Sequence, residues 1–113
     1  MKLEDAAKQL NALGNPTRLQ VCRMLVRAGD SGLSVARLRE QVGIRASTLS
    51  HHLNRLILTG FVTQERQATT FMCRANSRAI DSLLGYLIDE CCADAAPAKT
   101  LGGEGHSDSL FPR

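Results

Sequence analysis

Two groups of residues could do chemistry in this chain: four cysteines, and a polar run between residues 47 and 55. The cysteines are Cys22, Cys73, Cys91 and Cys92. In a reducing compartment they point to metal binding, redox chemistry or plain burial before structural disulfides. Cys91 and Cys92 are neighbours, and Cα atoms across a trans peptide lie about 3.8 Å apart. A disulfide prefers roughly 4.4–6.8 Å between Cα atoms, so this pair reads as free thiols or shared ligands. Cys22 falls on helical core spacing and Cys73 alternates with Phe71, which makes both packing residues first.

The polar run is Ser47-Thr48-Leu49-Ser50-His51-His52-Leu53-Asn54-Arg55. At 100° per residue, Leu49, Leu53 and Leu56 gather on one side and must face a core. Ser47, Thr48, His51, Asn54 and Arg55 fall on the opposite side, and none is acidic. Hydroxyls, an imidazole, an amide and a guanidinium can donate to phosphates or read base edges. His51 and His52 diverge by about 100° on a helix, so they do not chelate one ion as an i, i+4 pair can. His52 sits at the edge of the core stripe, where it is expected to hydrogen-bond the scaffold.

The elements that position these residues follow from periodicity and punctuation. Leu3, Ala6, Ala7, Leu10 and Leu13 recur at helical spacing, and Gly14 ends that helix. Asn15-Pro16 supplies a cap and a first-turn proline for a second helix, with Leu19, Cys22, Leu25 and Val26 on one face. Residues 28–32 read as a loop. Ser34 caps a short third helix with Val35, Leu38 and Val42 inward, and Gly43 is a left-handed stop. A fourth helix runs from about Ala46 to Gly60, so the third and fourth form a helix-turn-helix pattern. Residues 61–66 and 70–74 are β-prone around Gln67-Ala68-Thr69, a hairpin without the favoured Asn-Gly turn. Ile80, Leu83, Leu84, Leu87 and Ile88 mark a last helix from Ser77 to Cys92. Residues 94–113 lack periodicity and read as a flexible tail following one domain over 1–93.

Composition narrows the function further. No apolar run approaches the roughly 20 residues needed to span a bilayer, and Met1-Lys2-Leu3-Glu4-Asp5 is unlike a signal peptide. A cytoplasmic protein without a membrane partner is expected. Residues 1–80 carry 12 Lys/Arg against 5 Asp/Glu, whereas 81–113 carry 2 against 6. A basic body with an acidic end points to a polyanionic partner for the body alone. So small a core leaves little room for a substrate pocket of roughly 300 Å³ or more, and no Ser/His/Asp or Cys/His constellation or phosphate-cradling loop is evident. An enzyme is not expected.

Three stretches carry a family resemblance: Leu13-Gly14-Asn15-Pro16-Thr17-Arg18-Leu19, Ser47-Thr48-Leu49-Ser50-His51-His52-Leu53, and Leu58-Thr59-Gly60-Phe61-Val62. Over residues 3–92 the chain resembles the ArsR/SmtB family of winged helix-turn-helix repressors. The resemblance implies a mainly α fold with a small β-hairpin wing, dimerising through the first and last helices. It implies operator DNA as partner, with Ser47, Thr48, Ser50, His51, Asn54 and Arg55 on the recognition helix and Arg66 and Gln67 at the wing. A two-helix stripe that one small chain cannot bury supports the homodimer independently.

The resemblance also implies a sensor. The Cys-Val-Cys type metalloid site is absent, since the third helix reads Val35-Ala36-Arg37-Leu38-Arg39-Glu40. The zinc-type site of the last helix is absent too, because no His accompanies Asp81 and Asp89. Glu90-Cys91-Cys92 resembles arsenic-responsive members with a vicinal pair. No permanent cofactor is expected. Thiolates suit soft acceptors, and two sulfurs match trivalent arsenic or antimony bearing one organic substituent. An inorganic ion would want a third sulfur, from Cys22, Cys73 or a second subunit. Two alternatives stand beside this. One is a repressor switched by oxidation or persulfide, for example through a bond between Cys22 and a C-terminal cysteine. The other is a winged-helix adaptor that binds protein. Acidic Asp89, Glu90 and Asp94 oppose thiolate formation, which argues against a fast peroxide sensor.

Overall fold

The computed structural model describes residues 1–89; Cys91, Cys92 and the predicted tail 94–113 lie outside them. Helix α1 spans Leu3–Leu13 and α2 spans Pro16–Ala28. Asn15 joins them as the side-chain cap, its Oδ1 accepting from the Arg18 amide at 3.0 Å, with Pro16 in the first turn where a missing N–H costs nothing. Helix α3, Val35–Val42, is capped by Ser34, whose Oγ accepts from the Arg37 amide at 3.0 Å. It ends at Gly43 in the left-handed region (φ 75°, ψ 35°). Three residues on, α4 runs from Ala46 to Leu58. These local signals are where the sequence places them.

The sheet is larger than the expected hairpin. Strand β1, Leu33–Ser34, joins β2 (Val62–Gln67) and β3 (Thr70–Ala75) in the antiparallel order β1-β3-β2. Leu33 pairs with Cys73 and Ser34 with Met72. A two-residue strand has no periodicity of its own, and it exists only because β3 lies beside it. Gly32 makes the approach possible. It has a φ of 69°, and a Cβ there would fall 2.5 Å from the Cys73 carbonyl oxygen. Residues Gly29–Ser31, expected as loop, form a 3₁₀ turn. The wing tip is a two-residue turn, because Gln67 pairs with Thr70, and Ala68 takes a positive φ of 56°.

The core gathers Val21, Cys22 and Leu25 of α2, Leu38 of α3, and Leu49, Leu53 and Leu56 of α4 over Phe61, Val62 and Cys73. This corrects the expected inner face of α2. Leu19 and Val26 are 43% and 51% exposed, while Val21 takes a core place. The apolar arc of α2 is wider than the strip that α4 and β3 cover. The last helix, α5, spans Ser77–Ile88 and Asp89 leaves helical geometry (ψ 140°), while residues 90–92 of the expected helix lie outside the described residues. No basic residue occupies its last turn, and acidic Asp89-Glu90 opposes the negative end of the helix dipole. Leu3 and Leu10 on α1 and Leu84, Leu87 and Ile88 on α5 remain exposed, leaving both stripes only half covered within one chain.

Candidate nucleic-acid interface

Helix α4 buries Leu49, Leu53 and Leu56, and this single anchoring stripe fixes its rotation. Ser47, Thr48, Ser50, His51, Asn54 and Arg55 are consequently all exposed, as their spacing predicts. The first turn of α4 holds no acidic residue, and its N-cap, Arg45, makes no side-chain cap bond. The leading amides of the helix and its positive dipole end therefore stay open to an anion. Arg45 is itself exposed and belongs to this surface. Its place before the helical repeat hides it from periodicity, although a cation immediately before a polar helix is a usable signal.

At the wing, Arg66 and Gln67 are exposed at the end of β2. Arg66 Nε donates to the Ala68 carbonyl at 3.1 Å, and its guanidinium lies 5.6 Å from the Phe71 ring centroid. These contacts hold the side chain at the tip and leave its remaining N–H donors free of protein partners among the described residues. Arg74 plays a different part. It bridges strands to Glu65 at 2.8 Å and donates through Nε to the Asp30 carbonyl at 2.8 Å, tying the 3₁₀ turn to the sheet.

Behind the exposed face, α4 is tied to its neighbours by polar contacts. Gln9 Nε2 donates to the Thr59 carbonyl at 2.9 Å, and Arg55 Nη2 reaches Asn11 Oδ1 at 3.4 Å. Arg18 Nε donates to the Ala12 carbonyl at 2.7 Å, and its Nη1 lies 3.2 Å from His52 Nδ1. Arginine has no acceptor, so His52 takes this bond on the lone pair of a neutral ring. Burial pushes the His52 pKa below the ordinary imidazole value, and the charges of Arg18 and His51 push it the same way. His52 is a scaffold residue, as expected, and the two imidazoles lie 5.8 Å apart at 58°.

The sulfur chemistry divides between described and undescribed residues. Cys22 and Cys73 are buried free thiols. Burial raises both pKa values, and at Cys73 a bond from Gln64 Nε2, 3.6 Å from Sγ, works weakly against the rise. Among the described residues no group of three or more His, Cys, Asp or Glu side chains is placed to hold a metal. Asp89, the last described residue, lines a groove of about 840 Å³ with Gln9 of α1, Tyr86 of α5 and Leu58 and Thr59 at the end of α4. No described helix is long and apolar enough to cross a membrane.

Comparison with known proteins agrees with this geometry. A helix-turn-helix domain family model matches residues 13–65. The nodulation protein NolR of Rhizobium meliloti is 36% identical over 86 residues, spanning 76% of this chain and 68% of the relative. The reduced form of HlyU from Vibrio cholerae is 30% identical with a TM-score of 0.62, covering 79% of this chain and 90% of the other. A homodimeric winged helix-turn-helix DNA-binding domain from Mycobacterium bovis is 25% identical with a TM-score of 0.63, covering 78% and 82%. A core-anchored α4 with an open polar face, a three-stranded wing and relatives at this level place the chain in the ArsR/SmtB family of winged helix-turn-helix transcriptional regulators.

Proposed function

We propose that the protein is a repressor that binds operator DNA as a homodimer and lets go when a soft, thiol-seeking species engages Cys91 and Cys92. The DNA half of this reading rests on one observation above others: an exposed α4 face with donors, no acid in its first turn, and an uncapped N-terminus. Ser47, Thr48, Ser50, His51 and Asn54 would meet bases or phosphates, Arg45 and Arg55 the backbone, and Arg66 and Gln67 the flanking groove. The unburied stripes of α1 and α5, and the homodimeric relative, support pairing through those helices.

The inducer is trivalent arsenic, in organic form by preference, or antimony. Soft-acid chemistry supports the assignment: thiolates are ligands for soft acceptors, and Cys91 and Cys92 are adjacent in sequence. The bound inducer would favour a conformation with lower affinity for DNA, which is the only way it could cause release. A second reading, switching by oxidation or persulfide between Cys22 and a C-terminal cysteine, draws on HlyU having a reduced form at 30% identity. Against it, Cys22 is buried and its thiol is held protonated.

The test begins with a duplex enriched by the protein from a randomised pool. The complex is then titrated with an organic trivalent arsenical, arsenite, antimonite, zinc and peroxide. The proposal expects release by the organic arsenical first, arsenite less readily, and neither zinc nor peroxide at comparable doses. Release by peroxide alone would replace the first reading with the second, and failure to enrich any duplex would overturn both.

A further inference from the structure

Three polar links join α1 to α4 among the described residues: Gln9 to Thr59, Asn11 to Arg55, and Ala12 through Arg18 to His52. Only the third contains a group that titrates near neutral pH. It is also the most indirect, since a guanidinium from the start of α2 grips the end of one helix and the inner side of another. We propose that the Arg18–His52 contact sets the pose of α4 for DNA, and that protonation of His52 breaks it, so that specific operator affinity falls in acid. Both are positioning residues: neither is among the groups assigned to bases or phosphates.

The chemistry follows from the bond's direction. Arg18 can only donate, so the contact needs the lone pair on His52 Nδ1. A proton added there removes the acceptor and sets an imidazolium against a guanidinium at 3.2 Å. The ionisable groups facing His52 are Arg18 from α2 and His51 on α4 itself, while α1 meets the pair through the Ala12 carbonyl. No carboxylate is among the groups that shift its titration, so nothing nearby compensates the new charge. Because the folded state disfavours the proton, the contact is intact at neutral pH and is lost as pH falls below the ordinary imidazole range. His51, exposed on the other side of α4, is unchanged in every variant of position 52, so a difference between their pH profiles reports His52 itself.

The comparison of variants is therefore decisive. His52→Gln keeps an acceptor for Arg18 but cannot take up a proton, whereas His52→Leu removes the acceptor at all pH values. Affinity for the enriched duplex and for a scrambled duplex is measured for each protein from about pH 7.5 to about pH 5.5. Relative to His52→Gln, the wild type should lose a few-fold in specific affinity toward the acid end of that range, short of the full worth of the hydrogen bond because the lowered His52 pKa leaves the ring only partly protonated there. His52→Leu should be weak throughout with a profile parallel to His52→Gln, and Arg18→Gln should raise the His52 titration midpoint read by NMR. Parallel profiles for wild type and His52→Gln would overturn the proposal while leaving DNA binding intact. Loss of enrichment altogether would overturn the operator reading on which it rests.

Discussion

His51 and His52 occupy successive positions, yet one faces solvent on α4 and the other faces Arg18. A single residue step of about 100° separates a group that can meet DNA from one that holds the scaffold. His51→Ala and Arg45→Ala should each weaken specific duplex binding by about 1–3 kcal/mol, measured by fluorescence anisotropy at fixed salt. Wild-type affinity in both variants would move the recognition surface elsewhere. The cysteines give a second prediction at this scale. Cys22 and Cys73 have thiol pKa values raised by burial, so the folded state holds those protons more tightly than the unfolded chain. Their contribution is therefore full below the ordinary thiol range of about 8.5 and is lost as pH rises through the raised folded values. Thermal stability should fall in mild alkali, and Cys22→Ala with Cys73→Ala should flatten that fall while lowering stability overall. The polar face of α4 was legible residue by residue, because a 3.6-residue repeat fixes which side chains point outward. The Arg18–His52 partnership was not, since its members are 34 residues apart and only the packing of α2 on α4 joins them.

At the level of elements, helices whose ends are set by their own neighbours were readable. Asn15, Ser34 and Gly43 act through bonds or dihedrals within a few residues, so their roles are written locally. Strand β1 depends on β3 some forty residues later, and α5 stops at Ile88 although its apolar spacing invites continuation. Gly32→Ala tests the first of these dependencies. The added methyl meets backbone at Cys73 and the residue must keep a φ of 69°, so destabilisation of about 2–4 kcal/mol is expected in urea unfolding. A neutral result would mean that β1 detaches at little cost. The wing turn offers the opposite sign. Ala68 sits at φ 56° where glycine is at home, and Ala68→Gly should stabilise by about 1 kcal/mol.

For the whole molecule, one chain leaves Leu3 and Leu10 of α1 and Leu84, Leu87 and Ile88 of α5 uncovered, and a second copy pairing along those helices would cover them. Two α4 helices would then address half-sites about one helical turn apart. Sedimentation should show a dimer at micromolar concentration, and Leu87→Glu should shift it toward monomer and weaken operator binding together. Affinity should fall steeply with salt as phosphate contacts release counterions. The charge division between residues 1–80 and 81–113 points to a polyanion for the body on composition alone. The most direct test is release of the DNA-bound protein by an organic trivalent arsenical, followed by anisotropy in wild type and in a variant carrying Cys91→Ser and Cys92→Ser. The account predicts that both proteins bind the duplex alike and that only the wild type is released, because hydroxyls are poor ligands for a soft acid. Release of the double variant at the wild-type inducer concentration would contradict it.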